Sequence, residues 1–347
     1  MRVLSVFDGI SCAKVALHRA GLPVTEYLSS EIDPHAIKIS QANHPDITRL
    51  GDVREIYMSH LKAPIDLMIG GSPCQDLSIA KKNRQGLAGD RSGLFWEFVR
   101  IRNYIRPRWF ILENVASMPW QDRDTISQAL GVNPILIDAS LVSAQSRKRL
   151  FWTNIPFTMP EDRGIRLTDI LQPDDEVHPS FTVKGEFTPT LGKTTKLGHI
   201  GATDGQANRV YDPDGKSVTL SANGGGSGAK TGLYAIGRDI GRRLTPDGTR
   251  ADNDTSLPYE RRVELRDDAK TGTLTSVQKD NLVVNTDTHR IRKLTPIECE
   301  RLQGLPDGYT DHVAKTHRYK ALGNAFNVDV VTSILRGIQP TPSSSGS

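Results

Sequence analysis

The sequence predicts an α/β fold, a doubly wound and mostly parallel sheet, that carries an inserted β-rich region. Three observations predict it. Strand and helix patterns alternate over the first 158 residues, and polar residues and glycines recur where the strands end. Helical periodicity then fades between Glu161 and Asp287 and returns at His289. Strands alternating with helices imply a sheet covered on both faces, whose ligands bind at the carboxyl ends of the strands.

Taken in order, "RVLSVF" from Arg2 reads as a buried strand and Cys12–Ala20 as a short helix. "TEYLSSE" is a second strand, and "PHAIKISQAN" is a helix opened by Pro34. "DITRLGDV" supplies a third strand and "IDLMIGG" a fourth, followed by the amphipathic helix "GLFWEFVRIRNYI". "WFILENV", "NPILIDAS" and "RLFWTNIP" complete the sheet. Asp8-Gly9, Glu31, Asp52, Gly70-Gly71, Glu113 and Asn114 then all fall at strand ends, on one rim.

From Glu161 to Asp287, Gly, Pro, Asp, Asn and Thr dominate, and "KSVTLS", "KTGTLT" and "TPTLG" echo one another before short apolar runs. This texture predicts strand–loop–strand units, one bearing the flexible "ANGGGSGAKTG". After His289, a helix opened by Thr295-Pro296 is expected, then "YKALGN" as a loop and a last helix. The expected boundaries are residues 1–158 and 289–339 for the α/β domain, 159–288 for the insertion, and 340–347 for a disordered tail.

Apolar content of 37% and charge of 24% suit a soluble globular protein, and no apolar run approaches a membrane span. The N-terminus lacks the apolar stretch of a signal peptide. Cys12, Cys74 and Cys299 are odd in number and form no CxxC pair, so neither a disulfide framework nor a structural metal site is expected. An intracellular, reduced protein follows. Net charge is +4, and basic residues crowd the stretch Lys81 to Arg108. That stretch suits a polyanion partner, or simply a solvated face.

Several groups of residues suggest chemistry. "FDGISCAKVAL" runs from strand through a glycine turn into a helix, whose free N–H groups face a polar ligand. Glu31, ending the second strand, can accept both hydroxyls of a ribose, and Asp52 can accept from an adenine amino group. The same pattern also fits an unremarkable turn with surface acids, and it names only a nucleoside. Cys74 is more pointed. Pro73 fixes its backbone entry, Gly70-Gly71 bare its surroundings, and nearby cations favour a thiolate, although most lone cysteines are small buried hydrophobes. Glu113 falls on the same rim, as a proton donor if enclosed or as a helix cap if not. In "SAQSRKRLFW", Gln145, Arg147 and Arg149 alternate, which would aim both arginines to one face.

Taken together, "FDGISCAKVAL", "SSEIDPHA", "GDVREI", "GGSPCQDLS", "FILENV", "QSRKR", "RKLTPIECERLQGLPD" and "YKALGNAFNVDVV" resemble, in this order, the motif series of the DNA (cytosine-5)-methyltransferases. The likeness is to the bacterial and phage type, with partial likeness to the animal de novo branch. It implies a class I S-adenosylmethionine-dependent fold whose insertion is a target recognition domain. Cys74 would attack C6 of a cytosine flipped out of double-stranded DNA, with Glu113, Arg147 and Arg149 as its catalytic partners. S-adenosyl-L-methionine would lie on Phe7, Gly9, Ile10, Ser11, Glu31 and Ile32. Asp52, Val53, Pro73, Leu94, Asn324 and Val328 would complete that seat. Gln75, Ser78, Asn114 and Gln145, with Lys81, Lys82 and Arg84, would touch the DNA. No metal, no membrane, a monomer, and a cognate restriction endonuclease as partner are the further implications.

Two departures stand out. Ser11 and Cys12 occupy the place of the turn's last glycine, and Gln145, Arg147 and Arg149 are all present where de novo-type relatives often differ. Three rivals fit less well. The Cys-Phe-Thr signature of the tRNA-modifying branch is missing. An inactive DNA-binding homologue would have lost motifs kept here. A nicotinamide oxidoreductase leaves Pro73-Cys74 and the arginines unexplained.

Overall fold

The computed structural model describes residues 1–57, 59, 61, 63–73, 92–173, 181–182, 237–243, 256, 259–265, 282–285 and 290–338. In chain order its elements are β1 (Arg2–Val6), α1 (Cys12–Arg19), β2 (Glu26–Ser30), α2 (Pro34–Asn43), β3 (Thr48–Arg49), β4 (Leu67–Gly71), α3 (Phe95–Ile105), β5 (Trp109–Val115), α4 (Trp120–Leu130), β6 (Ile135–Asp138) and β7 (Lys148–Thr153). Then come β8 (Phe181–Thr182), β9 (Gly237–Arg243), β10 (Tyr259–Leu265), β11 (Leu282–Asn285), β12 (Arg290–Lys293), α5 (Pro296–Leu302), α6 (Lys315–Asn324) and α7 (Val328–Leu335). The chain divides into two compact units, Met1–Asp138 with Lys148–Glu161 and Ala325–Ser347, and Ala139–Arg147 with Asp162–Asn324.

The first unit holds one seven-stranded sheet in the order β3-β2-β1-β4-β5-β7-β6. β1 pairs in parallel with β2 and β4, and β4 with β5, while β7 runs antiparallel between β5 and β6. The strand order reverses between β1 and β4, and an open α/β sheet offers its ligand crevice at such a point. Both faces are covered, which is why the central strands read as unbroken apolar runs. Leu4, Val6, Met68, Phe110 and Leu112 meet Phe95, Phe98 and Ile101 of α3 and Ile126 and Leu130 of α4 in one cluster. Val3, Leu67, Ile69 and Ile111, the alternating residues, are equally buried. α1 packs against α7, and Arg19 is ion-paired to Asp329 at 2.7 Å.

Local chemistry sets several helix starts. Asp33 accepts from the His35 and Ala36 N–H groups and Pro34 takes the first helical position, so α2 begins where the sequence indicates. Asn327 caps α7 through the Val330 N–H. Two helices depart from expectation. α4 was not expected, because "WQDRDTISQAL" buries only Ile126 and Leu130. Its signals were the flanking residues, Pro119 before it and Gly131, at φ 72°, after it. The third strand is also shorter than "DITRLGDV" suggests, because only Thr48–Arg49 pairs with β2.

In the second unit, α5 opens with a capping box. Thr295 accepts from the Glu298 N–H at 3.1 Å, and Glu298 accepts from the Thr295 N–H at 2.7 Å. "YKALGN", expected as a loop, is helical within α6. Tyr319 and Leu322 are buried one turn apart, and the Tyr319 hydroxyl donates to the Leu294 carbonyl at 2.7 Å. Tertiary packing overrides the poor propensity of Gly323 there. β9 and β10 form an antiparallel pair, and β11, β12 and β8 a three-stranded antiparallel sheet. The expected "NLVVN" strand is β11. The echoes "KSVTLS", "KTGTLT" and "TPTLG", the loop "ANGGGSGAKTG" and the terminal tail lie outside the described residues. No helix among the described residues is long and apolar enough to cross a membrane.

The two glycines closing β4 are fixed by what surrounds them. A Cβ on Gly70 would stand 2.7 Å from the Val6 carbonyl oxygen, and one on Gly71 2.7 Å from the Phe326 ring. Gly71→Ala is therefore expected to lower stability by about 1–3 kcal/mol, read from urea unfolding at constant m-value.

Candidate active site

The end of β1 turns sharply. Phe7, Gly9 and Ser11 all lie at positive φ, 57°, 57° and 63°. For Phe7 and Ser11, which carry a Cβ, this is a strained region that tends to mark functional turns. Gly9 meets nothing within 4 Å where a Cβ would project, so open space lies beside the turn. Its N–H donates to Glu31 Oε2 at 2.8 Å, and Glu31 Oε1 accepts from the Ile32 and Asp33 N–H groups, both at 2.8 Å. Three backbone donors thus orient one carboxylate while its remaining lone pairs stay available. Ile32 beside it is 64% exposed, a large apolar surface placed on a polar rim. Ile10 and Ser11 are buried beneath the turn.

The rim continues through the loop after β3. Leu50 N–H donates to the Ser29 carbonyl and the Ser30 hydroxyl to the Gly51 carbonyl, which ties this loop to the end of β2. Asp52 caps the turn that follows, accepting from the Arg54 N–H at 2.9 Å and from its guanidinium at 2.5 Å. The Arg54 guanidinium, helped by the Arg54 backbone N–H, holds the Asp52 carboxyl below the usual carboxylate range. Val53 is buried in the core, and Leu94 packs against it half-buried. Phe7, Gly9, Glu31, Ile32 and Asp52 therefore line one stretch of rim, with Val328 buried at the first position of α7.

A second cluster forms where β4, β5 and β7 meet. Gly71 pairs with Glu113 in parallel register, and Glu113 Oε2 lies 3.1 Å from the point a Gly71 Cβ would occupy. Because β7 is antiparallel, Phe151 faces Glu113 and Arg149 faces Val115, so Arg149 is the diagonal neighbour of Glu113. Arg149 Nε sits 2.8 Å from Glu113 Oε1, with both side chains largely enclosed. Asn114 is 1% exposed; its amide donates to Ser72 and its carbonyl accepts from the Val115 N–H. Asn114, expected to touch substrate, thus braces the segment that leads into Pro73. Cys74, Gln75, Ser78, Lys81, Lys82 and Arg84 lie outside the described residues.

Three described arginines of the basic stretch are engaged by the protein itself. Arg100 pairs with Glu97 at 2.7 Å and donates to the Val53 and Ile56 carbonyls. Arg102 lies 4.4 Å over the Phe110 ring and Arg108 5.3 Å over that of Trp109.

In the second unit, Arg147 is 3% exposed, and its guanidinium donates to the Gly323 carbonyl at 3.2 Å. Gln303 donates to the Leu322 carbonyl at 2.6 Å, so two side chains satisfy the last carbonyls of α6. Asn324, the final residue of α6, is exposed. Gln145 is fully buried, and its amide finds no hydrogen-bond partner among the described residues. The same is true of any metal centre: no cluster of three or more ligating side chains occurs among the described residues.

The strand order with a reversed β7, joined to a glycine turn after β1 and acids after β2 and β3, is the fold of the class I S-adenosyl-L-methionine-dependent methyltransferases. A family model described as C-5 cytosine-specific DNA methylase matches residues 1–340, so the chain belongs to that family. It is 25% identical to the type II methyltransferase M.HhaI of Haemophilus parahaemolyticus, covering 97% of this chain and 94% of that protein. The orphan methyltransferase M.SPRI of Bacillus phage SPR is 25% identical, with 97% of each chain covered. Among solved structures, the Entamoeba histolytica methyltransferase EhMeth superposes with a TM-score of 0.66 at 13% identity, over 97% of each chain. A putative DNA modification methyltransferase encoded within an E. coli prophage gives 0.56 at 19%, over 97% and 98% of the two chains. These likenesses are of fold. The chain is a DNA (cytosine-5)-methyltransferase whose methyl donor is S-adenosyl-L-methionine.

Arg149→Met should leave the Glu113 carboxylate unpaired and lower stability by about 1–2 kcal/mol. Adding Glu113→Gln should recover most of that loss, as a double-mutant cycle followed by urea unfolding would show.

Proposed function

We propose that Cys74 is the nucleophile and Glu113 the acid that serves it, in a methyltransferase acting on a cytosine flipped out of duplex DNA. The observation that carries this reading is the enclosed Glu113–Arg149 pair beside Gly71, three residues before Cys74. Flipping exposes C6 at a cost of about a few kcal/mol in lost stacking. The Cys74 thiolate adds to C6, and Glu113 holds the N3/N4 edge while the ring nitrogen N3 gains a proton. C5 thereby becomes nucleophilic. S-adenosyl-L-methionine supplies the methyl group that C5 acquires. N3 gives its proton back, and loss of the C5 proton then expels Cys74 and restores the aromatic ring.

The rim described above fits that cofactor. Glu31 keeps lone pairs free for ribose hydroxyls, Ile32 offers a face for a purine, and Gly9 leaves room beside the turn. Phe7, Ser11, Asp52, Val53, Leu94 and Val328 complete the seat on this reading. Arg149 serves twice, holding Glu113 and meeting the base oxygen. Arg147 lies within its own unit, where it donates to the Gly323 carbonyl. Arg100, Arg102 and Arg108 are engaged within the protein, and Lys81, Lys82 and Arg84 are the cations assigned to phosphate on this reading. The strands of the second unit belong to a target recognition domain, with Arg242 and Arg243 of β9 as candidates for base contact. Relatives named as type II methyltransferases support a place beside a restriction endonuclease inside a bacterial cell.

Bisulfite sequencing of DNA from cells expressing the chain should reveal 5-methylcytosine in one sequence context, and Cys74→Ala should abolish it. Duplex containing 5-fluorocytosine should be trapped covalently, since no proton can leave C5; a fully dissociable complex would exclude the thiol adduct. Removing Lys81, Lys82 and Arg84 together should flatten the slope of log K against log salt by about 3. An unchanged slope would assign the phosphate contacts elsewhere.

A further inference from the structure

Behind the turn lies a buried polar network that the chemistry above does not use. Asp8 is 4% exposed, yet its carboxylate accepts from four hydroxyls. Ser5 and Tyr27 donate to Oδ1 at 2.6 and 2.7 Å, and Ser11 and Ser29 to Oδ2 at 2.6 and 2.8 Å. Ser11 Oγ also lies 2.5 Å from Ser40 Oγ, and Arg49 donates to Ser40 Oγ at 3.1 Å.

A hydroxyl has one proton, which settles the direction of every bond. Ser11 gives its proton to Asp8, so Ser40 must give its own to Ser11, and Arg49 donates to Ser40. A directional chain runs from the Arg49 cation through two serines to the buried Asp8 anion, each bond polarising the next. The residue it grips, Ser11, is one that departs from the family pattern, and it lies at φ 63°, where glycine is at ease and serine is not. Asp8 is also fixed at the backbone, its N–H donating to the Ser30 carbonyl and its carbonyl accepting from the Ser11 N–H. Gly9, next in the chain, supplies the N–H that orients Glu31.

We propose that Asp8 is a positioning residue for the cofactor turn: gripping Ser11 from behind, it holds a serine in the left-handed backbone that a glycine would adopt unaided. The inference rests on the reading of this turn as the cofactor's seat. It makes positions 8 and 11 a coupled pair, in which an anchored serine takes the place of a free glycine. Cofactor affinity then depends on a side chain that never touches the cofactor.

The test measures S-adenosyl-L-methionine affinity by calorimetry on the full chain, with thermal melts alongside. Asp8→Asn, which places a donor among donors, should raise the cofactor Kd about tenfold. At saturating cofactor, kcat should stay within about twofold, a loss confined to binding. Adding Ser11→Gly should restore most of the affinity while leaving melting below that of the parent, because glycine recovers the turn but not the lost hydrogen bonds. A double variant as weak as Asp8→Asn alone would overturn the proposal, as would an Asp8→Asn variant with parental affinity. Should Asp8→Asn fail to fold, Tyr27→Phe removes one donor only; a raised Kd that Ser11→Gly reverses supports the pair, and an unchanged Kd refutes it. Glu31→Ala separates the two readings. Parental affinity there would remove the turn from the cofactor site altogether, whereas loss there with parental affinity in Asp8→Asn would sink the Asp8 inference alone.

Discussion

A missing side chain governs the catalytic rim. At Gly71 there is no room for a Cβ, because the Phe326 ring stands 2.7 Å and Glu113 Oε2 3.1 Å from where it would be. Close packing makes such an approach unforgiving. The bare backbone at the end of β4 lets an acid from β5 and an aromatic from beyond α6 close on the segment that delivers Pro73. Gly70 works the same way one residue earlier, against the Val6 carbonyl. Both glycines are needed for what they leave out.

Around that gap, each carboxylate is oriented by donors before any ligand arrives. Three backbone N–H groups hold Glu31, one arginine and a backbone N–H hold Asp52, and Arg149 holds Glu113. Preorganisation of this kind means that little rearrangement is required at the moment of reaction. The same economy extends behind the rim, where Asn114 braces Ser72 and hydroxyls surround Asp8. Burying these groups is tolerable only because they are satisfied. Among the described residues, the Gln145 amide and Gln303 Oε1 are exceptions, buried without a partner.

Much of this was legible along the chain, and the misses have physical causes. α2 and α5 could be placed from Asp33-Pro34 and Thr295-Pro296, because a cap acts within three residues of itself. α4 escaped because its apolar face is only two residues wide, and α6 because Gly323 argues against a helix that packing nevertheless enforces. Alternation places Arg147 and Arg149 on one face of the strand. In the structure Arg149 is committed to Glu113, whereas Arg147 donates to a carbonyl at the end of α6. The basic stretch suits a polyanion partner or a solvated face, yet Arg100, Arg102 and Arg108 are engaged within the protein.

By itself, the sequence determined the α/β class, the rim on which polar residues gather and the family likeness. These follow from periodicities and motifs that span a few residues. Only the tertiary structure decided that β7 runs backwards between β5 and β6, and hence that Arg149 meets Glu113. It alone showed that Asp8, unremarkable in a strand-end motif, is enclosed by hydroxyls from β1, β2 and the turn. The reason is one of range: a residue's propensity is local, but its burial and its partners are set by strands twenty to forty positions away.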